Sequence, residues 1–215
     1  MARLQEFRDI LHKYSRLDYI KPSQIPDIDL YMDQVTTFMD ERLSSFKRYP
    51  EDKTLTKTMI NNYTKYNLLP PPTKKKYSKQ HLLLMIYIYY MKNFLTIHDI
   101  GILLEPLRKK YFRSSGKPDL KDVYRETVHL ETGIFRSFYK DVLRKIHYAE
   151  ESFKDFPEED HEYLQKFAFV SMLAFDVYLK KQLMESIIDG MQEKHQASQT
   201  KSPQKKSGES ESGSK

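Results

Sequence analysis

The sequence predicts an all-α protein, and three observations carry that prediction. Apolar side chains recur at helical spacing along most of the chain. Only 6 glycines occur in 215 residues, too few for a turn-rich β protein. Charged residues make up 31% of the chain and aromatics 13%, a balance that suits long amphipathic helices. The absence of cysteine excludes disulfides, thiolate metal sites and a cysteine nucleophile, and it fits a cytoplasmic protein. The most apolar runs, 82–91 and 167–175, fall well short of the roughly 18 residues that span a bilayer, so no membrane partner is expected.

Residues 1–22 form an N-terminal helix and connector. Leu4, Phe7, Ile10, Leu11 and Tyr14 share one helical face over 2–14, amphipathic rather than signal-like. Lys21 to Asp27 connects, because its two prolines disfavour helix at the residues before them. A second helix should open at Asp27 or Asp29, where acids suit a helix N-terminus. Its stripe runs through Ile28, Tyr31, Met32, Val35, Phe38, Met39 and Leu43, and it ends near Phe46.

The next helix covers Thr56 to Asn67, with Leu55, Met59, Ile60, Tyr63 and Tyr66 turned inward. Its other face sets Lys57, Asn61 and Lys65 in i, i+4, i+8 order, beside Thr58 and Asn62. Asn67 caps it in a left-handed conformation, which asparagine tolerates. Three prolines then stiffen an arm that ends in Lys74, Lys75 and Lys76. A helix apolar nearly all round starts at Tyr77-Ser78, carrying Lys79 outward and Leu82, Met85, Ile86 and Tyr89 inward. Thr96 and Asp99 make a capping box for one more helix, through Ile100, Leu103, Leu104 and Leu107, which Pro106 should kink.

The charge pattern singles out this region. Lys53 to His98 holds eight lysines and no aspartate or glutamate, a net +8. The segments 1–52 and 99–191 each sum to −2, and 192–215 to +2. A local field of that sign attracts polyanions, of which DNA is the commonest. Asparagine can pair with adenine in the major groove, and lysine serves guanine or phosphate. Lys57, Thr58, Asn61, Asn62 and Lys65 are therefore the candidate reading face, and Lys74, Lys75, Lys76 and Lys79 the candidate phosphate contacts. A solvated lysine-rich face is the plainer alternative.

The blocks Ile60-Asn-Asn-Tyr63, Asn67-Leu-Leu-Pro70, Tyr77-Ser-Lys-Gln-His-Leu82 and Thr96-Ile-His-Asp-Ile100 fall in an ordered series. The series resembles the DNA-binding half of MerR-type regulators. More closely, Ile25–Gln34 together with Leu55–Leu82 is similar to an uncharacterised bacterial family, domain of unknown function 1836. The resemblance covers residues 23–110. It implies a winged helix-turn-helix with at most a minimal wing, and a regulator that binds double-stranded DNA as a homodimer. It also implies a phosphate-side place for Tyr63. Asn61 and Asn62 stand where MerR proteins have arginine and tyrosine, so the architecture carries over better than any base-contact rule.

Residues 108–118 read as a basic linker before a C-terminal helical domain over 119–191. Asp119 to Phe153 is helical in pattern and broken near Gly133, with Ile134, Phe135, Phe138, Val142, Ile146 and Ala149 on one face. A last helix follows Asp155-Phe-Pro-Glu and runs to about Met191. Its Phe167–Phe175 segment, with Phe169, Val170, Met172 and Leu173, is too apolar to face water, which makes it a bundle centre or a dimer seam. Residues 192–215, rich in Ser, Lys, Gln and Gly, predict a disordered tail.

No enzyme is expected. Glycine loops for phosphate and nucleophile elbows are absent. The pairs Glu126/His129 and Glu158/His161 have di-iron spacing, but each needs a facing lone glutamate and a buried position, and Glu158 and His161 begin a helix where carboxylates are expected in solvent, so neither cofactor nor metal is implied. The expected function is sequence-specific binding of double-stranded DNA to regulate transcription. The alternative is a protein-interaction or ligand-sensing helical protein that uses the winged fold as scaffold, with an effector or partner at the C-terminal helices.

Overall fold

A computed structural model describes residues 10–11, 19–114, 116–131 and 134–200. The helix expected over 2–14 lies outside them except at Ile10 and Leu11, which are helical. Among the described residues the chain forms seven α-helices of nine residues or more and one two-stranded ribbon. The helices are α1 (Met32–Arg42), α2 (Lys57–Lys65), α3 (Lys79–Met91), α4 (Ile97–Tyr111), α5 (Leu120–Glu131), α6 (Ile134–Glu150) and α7 (Glu158–Thr200). The strands are β1 (Leu30–Tyr31) and β2 (Lys76–Tyr77).

The centre is α3. Every residue from His81 to Tyr89 is buried, as a helix apolar on all sides requires. Val35 and Met39 of α1, Ile60 and Tyr63 of α2, and Ile100 and Leu104 of α4 close around it in one core. α5 joins the same core through Leu120 and Tyr124. Two hydroxyls bind it there: Tyr124 Oη donates to the Ile20 carbonyl at 2.6 Å, and Tyr87 Oη donates to Thr127 Oγ1 at 3.0 Å.

A smaller second core joins α6 and α7 through Val142, Ile146, Ala149 and Phe169, with Leu11 reaching it from the N-terminal segment. α7 has 43 residues, about 65 Å at 1.5 Å each, and links the two cores. Its first half packs on α6, and its second half packs on α4 with Met184 and Ile188 in the first core. Among the described residues no helix is long and apolar enough to cross a membrane.

Five local expectations are corrected. α1 opens at Met32 rather than Asp27 or Asp29, because Leu30 and Tyr31 pair antiparallel with Tyr77 and Lys76. Gln34 then accepts the Tyr31 N–H at 2.9 Å, so the helix is capped only there, and Ile28 and Tyr31 are exposed instead of lining its stripe. α2 ends at Lys65, which leaves Tyr66 exposed. Arg108, Lys109 and Lys110 form the last turn of α4, which continues through Pro106, and do not belong to a linker. Ile134 and Phe138 are exposed, since only the later turns of α6 reach the second core. Finally, α7 extends past Met191 to Thr200; residues 201–215 lie outside the described residues.

Candidate nucleic-acid interface

The short helix α2 is held rigidly at both ends. Thr56 Oγ1 accepts the Met59 N–H at 3.2 Å, satisfying one of the orphan donors of the first turn. At the other end Asn67 adopts φ 57°, and the N–H groups of Leu68 and Leu69 both return to the Tyr63 carbonyl, at 2.9 and 3.2 Å. Leu68 and Leu69 are buried, so this terminus is anchored in the core. The inward face is Ile60 and Tyr63. The outward face presents Lys57, Thr58, Asn61, Asn62 and Lys65, all exposed.

Tyr63 is only 5% exposed, and burial raises its phenol above the ordinary range. The structure therefore places it where helical periodicity predicts, in the core. The phosphate contact implied by the MerR resemblance has no exposed ring to make it.

The proline arm ends in a two-residue turn. The Thr73 N–H donates to the Lys76 carbonyl at 3.0 Å and the Lys76 N–H donates back to the Thr73 carbonyl at 2.9 Å. Lys74 and Lys75 between them have φ 51° and 63°. Positive φ at both central residues is the signature of a type I′ turn, the class that favours Asn-Gly. Here two lysines occupy it, each in the left-handed region that β-carbons disfavour. Both are exposed at the tip. The turn is fixed to the body because Lys76 and Tyr77 pair with Tyr31 and Leu30. The Lys76 ammonium lies 5.0 Å from the centre of the exposed Tyr31 ring, within cation–π range. At the end of α2, Lys65 lies 5.9 Å from the centre of the exposed Tyr66 ring.

The lysines of the basic block are not equivalent. Lys92 donates to the Thr54 carbonyl at 2.9 Å and sits 5.0 Å from the Tyr89 ring, and burial pulls its ammonium below the ordinary range. It serves the fold. Lys57 pairs with Asp33 of α1, and Lys79 Nζ donates to Asp27 Oδ1 at 3.0 Å. Contact with Lys79 holds the Asp27 carboxyl below its usual range, with Lys121 adding to the effect. Among the described residues Lys65, Lys74, Lys75 and Lys76 have no carboxylate partner.

Beneath the turn lies His81, buried between the Tyr77 ring at 5.5 Å and the Phe112 ring at 4.8 Å. Its Nδ1 accepts the Ser78 N–H at 3.0 Å, which leaves the proton of the neutral ring on Nε2. Burial lowers its pKa, and the nearby Pro71 and Pro70 carbonyls act in the opposite direction.

Four of these residues have no local sequence signal for the places they take. Asp27 and Asp33 come from the connector and α1, far from their lysines in the chain, so no local pattern pairs them. Tyr31 and Tyr66 fit an inward stripe by spacing, and only the real helix ends turn them outward. Two open troughs flank α2. One, about 690 Å³, is lined by Tyr66, Leu68, Ile97, His98, Ile102 and Arg108, and the other, about 830 Å³, by Asp40, Glu41, Lys53, Thr56 and Lys57 among others. Among the described residues no group of three or more His, Asp or Glu side chains is arranged to hold a metal ion.

The sequence profile of a family described as "Domain of unknown function (DUF1836)" matches residues 20–127, half of the chain. The match ends inside α5, the helix whose Leu120 and Tyr124 complete the first core. No curated protein and no solved structure matches the chain.

Proposed function

The chain belongs to the DUF1836 family, and from that premise we propose that it is a sequence-specific regulator that binds double-stranded DNA. The observation that carries the reading is the outward face of α2. It exposes two asparagines, a threonine and two lysines on one rigid helix and has no acid of its own. Such a face can enter a major groove, with Asn61 and Asn62 placed for base edges. Lys74 and Lys75, on the turn beside it, are preorganised for phosphates, which fix register and carry no sequence information. In this reading α1 and α2 form a MerR-like helix-turn-helix, and the turn from Thr73 to Lys76 is its minimal wing.

The experiment is a titration of specific and random duplexes at several salt concentrations. Asn61→Ala or Asn62→Ala should cost about 1–3 kcal/mol on the preferred site and little on random DNA, with the salt slope intact. Replacing Lys74, Lys75 and Lys76 together should weaken every sequence alike and lower the slope by about 0.9 for each phosphate no longer neutralised. Normal binding by both classes would sink the reading.

One observation favours a second copy of the chain as partner. On α7, Tyr163, Phe167, Val170, Ala174 and Val177 follow one another at alternating four- and three-residue steps, and all are exposed. That spacing is the one a coiled-coil seam uses, and a regulator reading a two-fold operator would pair its reading helices through such a seam.

A further inference from the structure

The basic block contains no carboxylate in sequence, yet among the described residues the fold brings two onto its lysines. Asp33 reaches Lys57, the first residue of α2, and Asp27 reaches Lys79, the first residue of α3. The side chains of Asp27 and Asp33 are 80% and 77% exposed, whereas Lys79 is 13% exposed, its stem covered and its ammonium turned to the carboxylate. Neither carboxylate is needed to fill space. Exposed pairs of this kind contribute little to folding. Their position matters more at a surface meant for a polyanion, because a carboxylate there repels phosphate and occupies the cation that would meet it.

We propose that Asp27 and Asp33 are built-in competitors for phosphate, which hold Lys79 and Lys57 back and set the strength of DNA binding below what the lysine count would give. The inference rests on the DNA-binding reading and assigns the regulation of that same surface. The wild-type protein then meets duplex DNA with Lys65, Lys74, Lys75 and Lys76 available, and Lys57 and Lys79 engage only by exchanging a carboxylate for a phosphate. Asn61 and Asn62 carry no charge, so the competitors act on the backbone contribution and leave base reading as it is.

The plainer alternative is structural. Neither α2 nor α3 has an acid in its first turn, and each begins with lysine at the positive end of the helix. The two aspartates could simply neutralise those ends. The two roles predict different outcomes.

The test uses the full chain and its variants Asp27→Asn, Asp33→Asn and the pair, titrated with a labelled random duplex by fluorescence anisotropy over a range of salt. The double variant should bind about 30-fold more tightly at about 0.15 M salt, with a salt slope steeper by about 1.8, the value of two phosphate contacts. In the double-Asn background Lys57→Gln and Lys79→Gln should each remove about half the gain, a larger loss than either substitution causes with both aspartates in place. Thermal melts of the same variants provide the second readout. Wild-type binding with no gain in the double variant overturns the proposal, and a lowered Tm with that result assigns the aspartates to the helix ends. If the double variant binds and the wild type does not, the competitors are strong and the proposal holds. If neither binds any duplex at the lowest salt, the DNA-binding reading falls and this inference with it.

Discussion

Replacing Lys74 and Lys75 by Asn and Gly would set stability against binding at a single turn. Both lysines are held at positive φ, 51° and 63°, by the two hydrogen bonds between Thr73 and Lys76. A non-glycine residue in the left-handed region costs about 1 kcal/mol or more. Asparagine tolerates that region, and glycine occupies it without strain but loses about 0.5–1 kcal/mol more chain entropy on folding. The double replacement should therefore stabilise the protein by about 1 kcal/mol, or roughly 2–4 °C in Tm for a chain of this size. Binding should move the other way. With two exposed cations removed, the salt slope falls by about 1.8, and affinity for any duplex drops about 30-fold at about 0.15 M salt. Thermal melts and anisotropy titrations on the same preparation measure both. A more stable variant that binds like wild type would refute the phosphate role of the turn. A less stable variant would refute the strain argument, because it would mean that the fold itself uses those ammonium groups.

Two further perturbations probe the buried histidine and the exposed seam. Burial lowers the pKa of His81 in the folded protein, so between that value and the ordinary value near 6.5 the unfolded chain binds a proton that the folded one refuses. Stability is then complete above about pH 6.5 and falls as pH drops through the window, by at most about 1.4 kcal/mol per pH unit for one proton. Urea melts from pH 7.5 to 5 should show the loss in wild type and a flatter profile in His81→Gln, and identical profiles would remove His81 from the explanation. On α7, Val170→Lys places a charge in the middle of the exposed apolar seam and should shift sedimentation from dimer to monomer without lowering the melting temperature of the monomer. A wild-type monomer at every concentration would refute the seam.

Much of the fold was legible because its signals act over a few residues. The Thr96–Asp99 box forms as read, with Thr96 Oγ1 accepting the Asp99 N–H at 3.2 Å and Asp99 Oδ2 accepting the Thr96 N–H at 3.1 Å. Asn67 takes the left-handed cap, and α3 is buried on every side. Helix caps and a 3.6-residue apolar period depend on neighbours in the chain, and those are visible in any sequence. The outward polar face of α2 follows from the same rule, so most of the candidate interface could be named in advance.

What the sequence by itself determined is the set of helices, the central place of α3 and the location of the positive charge. Tertiary structure alone decided which of those charges face solvent and which are already met. Lys57, Lys79 and Lys92 look like Lys65 and Lys74 in the sequence, yet Asp33, Asp27 and the Thr54 carbonyl occupy them in the fold. Tyr31 and Ile28 lie on the inward stripe by spacing, yet the pairing of Leu30 and Tyr31 with a turn more than 40 residues later delays α1 and turns them out. The physical reason is range: a helix is written in contacts three and four residues apart, whereas an ion pair or a ladder bond joins any two groups that packing brings together.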